Sequence, residues 1–96
     1  MAAYLIHNVL EVLDPDVWAE FRSKVVVQMA DHGARIIAVG GEAKVLDGEW
    51  NSVREVIIEF PDMDAVDRWY KSDDYKPLLE MRLASTRGNL IAVDGV

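Results

Sequence analysis

Apolar and polar positions along the chain lay out seven elements. Leu5 to Val12, L-I-H-N-V-L-E-V, is rich in branched residues and predicts a strand that stops at Asp14-Pro15-Asp16. Asp14 is placed to cap a helix with Pro15 in its first position. Val17, Phe21, Val25 and Met29 then recur at helical spacing to about Ala30, with Trp18 at the border of that inward face, and Gly33 is placed to end the helix. Ala34 to Val39 predicts a second strand, followed by a bulge or twist at Gly40-Gly41. Lys44 to Leu46 predicts renewed extended backbone before a two-residue hairpin turn at Asp47-Gly48. Trp50 to Phe60 predicts the third strand, which Pro61 stops, and Asp62 caps a helix over about Met63 to Lys71. A further helix, with Asp74 as cap and Pro77 in its first turn, runs through Leu83. Gly88 closes it, and Asn89 to Val93 predicts the last strand.

The order β-α-β-β-α(α)-β with right-handed connections gives an α+β, ferredoxin-like fold: a four-stranded antiparallel sheet backed by helices on one side. In the third strand Val56, Ile58 and Phe60 share one face, and Glu55, Ile57 and Glu59 the other. In the first, Ile6, Asn8 and Leu10 oppose Leu5, His7 and Val9. Both faces are apolar, and one chain's helices cover only one of them. A second copy's sheet is the economical cover for the other, so the expected form is a homodimer, a dimeric α+β barrel.

Composition sharpens this picture. The 96 residues suit a single domain spanning 1–96, and a hydrophobic fraction of 51% is more than one small core can bury, which again favours a partner subunit. A net charge of −7 and a pI near 4.6 disfavour nucleic acid and anionic membrane surfaces. Without cysteine there are no disulfides, thiolate metal sites or cysteine nucleophiles. No signal-peptide pattern opens the chain, and no apolar run approaches the roughly 20 residues of a membrane span. A cytoplasmic protein is expected.

Several motifs occur together: A-V-G-G-E across Gly40-Gly41, V-L-D-G-E-W with Trp50, V-I-I-E-F-P to Pro61, and W-Y-K-S-D-D-Y followed by a helical Arg82. With the closing A-V-D-G-V, this combination resembles the bacterial domain-of-unknown-function family 1330, most densely from about residue 34 to 96. The resemblance implies a ferredoxin-like fold in the dimeric α/β-barrel superfamily. That superfamily includes cofactor-free monooxygenases, haem-handling enzymes and simple ligand binders, among which fold does not choose.

Six residues are candidate ligand contacts. Glu59 is a carboxylate in an otherwise apolar strand; facing a space between two sheets it could serve as a base or ligand anchor, and otherwise it ends the strand near water or pairs with an arginine. His7, on the neighbouring strand, titrates in a range suited to proton transfer and could meet Glu59 if the register allows; a satisfied structural histidine is the alternative. Trp69, Tyr70 and Tyr75 cluster at a helix break, either as pocket lining or as ordinary core. Arg82 follows Tyr75, Leu78 and Leu79 on one apolar helical face, where it must reach a carboxylate, an anionic ligand or solvent past its own stem. His32 is explained by a helix C-terminus, and Asp62, Asp64 and Asp67 by a helix start, since they lack the glycine and terminal glutamate of a calcium loop. No metal or nucleotide motif is present, so no tightly held cofactor is expected.

Three functions compete on these grounds. The first is binding of a small organic ligand by a homodimer. The second is cofactor-independent oxygenation or isomerisation, with His7 or Glu59 as base and Arg82 holding an anionic oxygen. The third is a non-catalytic assembly dimer.

Overall fold

Pairing along the first strand, β1 (Ala3–Val12), organises the computed structural model, which describes residues 1–96. The other elements are α1 (Pro15–Ala30), β2 (Arg35–Val39), β3 (Arg54–Phe60), α2 (Met63–Lys71), α3 (Lys76–Ser85) and β4 (Thr86–Asp94). β1 lies between β3 and β4, antiparallel to both, and β2 pairs outside β3, giving the sheet order β2-β3-β1-β4. This is the four-stranded ferredoxin-like layout that the alternation of elements predicts.

Local chemistry fixes the helix starts. Asp14 accepts from the Val17 amide at 3.2 Å and Asp62 from the Ala65 amide at 2.8 Å, each satisfying a donor that the first turn leaves free. Gly33, with φ of 85°, makes the turn after α1 in a backbone region that a side chain would strain. One face of the sheet, with Ala3, Leu5, Val9, Ile58 and Phe60, is buried under Trp18, Phe21, Val25 and Met29 of α1 and Val66 and Trp69 of α2. Burial at alternate positions of β1 follows from the two-residue period of a strand.

Four local expectations are corrected. Residues 40–53 form no hairpin ladder: Asp47-Gly48 lies inside a loop, and β3 starts at Arg54 rather than Trp50. Leu46 and Trp50, 80% and 54% exposed, have nothing to pack on there, and an isolated two-stranded ribbon is marginal in water. The irregularity in β2 falls between Ile36 and Ala38, ahead of Gly40-Gly41. Helix α3 begins after Tyr75, not Asp74, because the buried Tyr75 ring fixes that turn while Asp73 pairs with Lys76 at 2.9 Å. Gly88 does not close α3. It lies within β4 beside the β1 irregularity between Val9 and Glu11, where a Cβ would fall inside contact distance of the Asn8 carbonyl oxygen and 3.1 Å from Val9 Cα. A close cross-strand approach, not a helix end, requires glycine there.

Candidate functional site

Between the helix layer and the buried face of the sheet lies a cavity of about 210 Å³. It exceeds the roughly 150 Å³ that accommodates benzene in an engineered protein cavity. β1 contributes His7, β3 contributes Arg54, Val56 and Ile58, and α1 contributes Trp18, Phe21 and Arg22. Trp69 comes from α2, Tyr75 from the turn after it, and Arg82 from α3. Val26, Ile36 and Val39 line the cavity yet are substantially exposed, so its mouth opens between α1 and the outer strand β2.

Aromatic rings form two walls. Trp18 stacks on Phe21 with centroids 5.3 Å apart and an interplanar angle of 14°. Trp69 lies 4.2 Å from Tyr75 and 5.5 Å from Phe60 by ring centroids. The Trp69 indole is fixed from the opposite helix: its Nε1 donates to Gln28 Oε1 at 2.7 Å, and Gln28 Nε2 donates to Ser72 Oγ at 3.4 Å. A buried indole N–H needs such a partner, and this one also ties α1 to α2.

The polar groups at the cavity are unusual in having few partners. His7 is buried edge-on to Trp18, with centroids 5.9 Å apart, and its Nε2 has no hydrogen-bond partner. Burial first, then the charges of Arg82 and Arg54, lowers its pKa from 6.5 to about 4, so the ring is neutral near pH 7. Arg82 is 8% exposed, and its Nε donates to the Tyr75 hydroxyl at 3.3 Å. Burial raises the Tyr75 pKa, against the opposing pull of Arg82, which keeps the phenol protonated. Arg22 sits 5.6 Å from the Trp18 ring centroid, and both Arg22 Nε and Arg54 Nε are buried without acceptors.

Four of the six candidate residues therefore come together: His7, Trp69, Tyr75 and Arg82. Tyr70 packs behind this group, 5.9 Å from the Trp69 ring and 5.6 Å from the Tyr75 ring, and is 41% exposed. Glu59 is on the opposite side of the sheet, where its carboxylate accepts from Arg35 Nη2 at 3.0 Å. The possible meeting of His7 and Glu59 is excluded by the register. His7 pairs with Val56, whereas Glu59 pairs with Tyr4, and the odd and even positions of β1 face opposite ways. His32 lies 3.6 Å from Asp74, and no group of His, Asp and Glu converges as a metal site.

Sequence reasoning missed Arg22 and Arg54 and underrated Trp18. Both arginines were signalled: Arg22 is one turn beyond Trp18 on the same helical face, and Arg54 alternates with Val56 and Ile58. Gln28 carried no signal, since its role depends on where α2 docks.

The family model described as a domain of unknown function (DUF1330) matches residues 2–96. No curated protein matches the sequence. Among solved structures, the chain is similar to RPA0582, a protein of unknown function from Rhodopseudomonas palustris (TM-score 0.77, 16% identity, covering 99% of this chain and 82% of that one). It is also similar to SnoaB, a cofactor-independent oxygenase from Streptomyces nogalater (TM-score 0.64, 10% identity, 99% and 92% coverage). An antibiotic biosynthesis monooxygenase is a third relative in fold (TM-score 0.59, 16% identity, 100% and 99% coverage). At these identities the likeness is one of fold.

The lowered His7 pKa has a consequence for stability. Between about pH 4 and 6.5 the unfolded chain binds a proton at His7 that the folded chain excludes, so stability falls as pH drops through this window. The full loss, reached below the folded pKa, is on the order of 3 kcal/mol. Urea unfolding should show a shallower decline over this range in His7→Gln than in the wild type. Equal slopes would mean that the imidazole is not held neutral in the fold.

Proposed function

The chain belongs to the family described as a domain of unknown function (DUF1330), and from that premise we propose that it binds a small organic molecule in the cavity between its sheet and helices. The observation that carries this reading is the pairing of an apolar, aromatic-walled space with a buried polar atom, His7 Nε2, that no protein group satisfies. Structures rarely leave such atoms unpaired, whereas ligand sites combine apolar walls with a few polar groups that fix orientation. Aromatic fragments of one or two rings should raise the melting temperature of the wild-type chain, because binding to the native state alone stabilises it. Val25→Trp, which fills the cavity from α1, should abolish the shift. The absence of any shift at millimolar fragment, or a shift that persists in Val25→Trp, would remove the cavity as the binding site.

The open face of the sheet belongs to a second copy of the chain. Tyr4, Ile6, Ile57, Ile91 and Val93 lie there, and Ile91 and Val93 are 53% and 46% exposed. A self-complementary face must carry little net charge, because each charge meets its own kind across the two-fold axis. This face comes close to that requirement in a chain of net charge −7: Glu59 is neutralised by Arg35, while Glu55 keeps its charge and accepts from the neutral Trp50 indole at 2.6 Å. Sedimentation equilibrium at low micromolar concentration should give a dimer, and Ile91→Glu a folded monomer. A wild-type chain that sediments as a stable monomer would refute the pairing.

A second reading, cofactor-independent oxygenation or isomerisation, is favoured by the neutral imidazole of His7 with its free Nε2 at the cavity wall. His7 would accept a proton from a bound substrate whose developing negative charge raises its basicity. Glu59, on the other side of the sheet, would take no part. Turnover of a phenolic or enolisable substrate with oxygen should vanish in His7→Gln and survive in Glu59→Gln. Turnover that persists in His7→Gln would leave binding without catalysis.

A further inference from the structure

We propose that the cavity selects an anion carried on a flat apolar skeleton, such as an aromatic carboxylate, whose charge is held by Arg82, Arg54 and Arg22. This inference rests on the reading of the cavity as a ligand site and assigns the chemical class of its occupant. The chain has 17 acidic and 10 basic residues, yet no Asp or Glu lines the cavity while three arginines do. None of the three takes part in an ion pair; of the seven basic side chains outside the cavity, Lys24, Arg35, Lys76 and Arg87 are matched to a carboxylate and Lys44, Arg68 and Lys71 are not. Arg82 is almost wholly buried, and Arg22 and Arg54 are half-buried with their Nε atoms out of water, so the unneutralised guanidiniums around this one space offer a place for a negative partner.

The orphan atoms point the same way. Arg22 Nε and Arg54 Nε are buried without acceptors, and Arg82, almost wholly buried, donates from Nε to a neutral phenol. Guanidinium groups match a carboxylate with two parallel N–H donors, which an ammonium cannot do. His7, neutral in this field, adds no competing charge, and either tautomer lets Nε2 act as acceptor or donor toward a polar atom of the ligand. The remaining wall is aliphatic and aromatic, with the Trp18–Phe21 and Trp69–Tyr75 pairs offering ring faces. A strongly hydrated inorganic anion would leave that surface uncovered, so the charge must come attached to an apolar group.

The test compares isosteres that differ in charge. Benzoate and 1-naphthoate, their neutral amides benzamide and 1-naphthamide, and inorganic phosphate are titrated into the wild-type chain, with tryptophan fluorescence and calorimetry as readouts. The carboxylates should bind at least about tenfold more tightly than the amides, as expected for charge-assisted hydrogen bonds. Arg54→Gln should weaken the carboxylates by a similar factor and leave the amides unchanged. Arg87→Gln, 63% exposed and outside the cavity, should alter neither. Equal affinity for carboxylates and amides would overturn the anionic assignment while leaving the ligand site in place. Phosphate binding as tightly as 1-naphthoate would overturn the apolar skeleton. Failure of every probe to bind at millimolar concentration would remove both this inference and the ligand site it rests on. If Arg54→Gln does not fold, the carboxylate–amide ratio in the wild type decides alone.

Discussion

The register of β1 against its two neighbours is the constraint from which the site follows. Leu5 stands opposite Ile58 and Ala92, and His7 opposite Val56 and Leu90. A slip of one residue would turn His7 outward and bring Tyr4, Ile6 and Asn8 under the helices. Two features oppose such a slip. Ala3, Leu5 and Val9 are almost fully buried beneath the helix layer, and their exposure would cost on the order of 2 kcal/mol for each large side chain. Gly88 is the second, because only a residue without Cβ tolerates the approach of the Asn8 carbonyl at that point in the β1–β4 pairing. The distribution of chemistry between the two sides of the sheet is thus a by-product of packing that any register error would disrupt.

The starts of α1 and α2 and the order of the elements were legible in the sequence because they rest on short-range signals, whereas the start of α3 was not. Asp14-Pro15 and Asp62 cap where the pattern places them, and the period-two alternation in β3 sorts its residues onto the two faces. What was not legible depends on contacts distant in sequence. Whether His7 and Glu59 share a face is a question of register between two strands about fifty residues apart, which the alternation within each strand leaves open. Arg54 could have been placed with Val56 by parity alone, but its lack of a counterion is a three-dimensional fact. The loop over residues 40–53 shows the opposite failure: Asp47-Gly48 is a strong local turn signal, yet the segments on either side find no layer to pack on. Local propensity yields where burial gives it no support.

Charge is distributed unevenly across the molecule. Acidic side chains outnumber basic ones, but they are spent on helix starts and outer ion pairs: Asp14 and Asp62 cap, while Glu11, Glu20, Glu59 and Asp73 each hold a surface cation. Exposed pairs of this kind contribute little to stability. The cavity receives none of that negative charge, so Arg82 and Arg54 act on His7 through a medium of lower dielectric than water. Burial first, and then the charges of Arg82 and Arg54, explain why an imidazole that would otherwise titrate near neutrality is held neutral well below it.

An open space beside a hydrophobic core invites collapse, and its persistence requires rigid walls. The Trp18–Phe21 stack and the Trp69–Tyr75 pair are large, inflexible groups that cannot fold inward without losing ring contacts. The hydrogen bond from Trp69 to Gln28 spans the two helices and fixes the indole between them. The apolar stems of the lining arginines can cover part of the wall. At Arg82, the one of the three that is almost wholly buried, stability alone would favour leucine or methionine, since a buried charge without a counterion opposes folding. The shape of the wall thus comes from its aromatic pairs, and its charge is the part that packing alone does not explain.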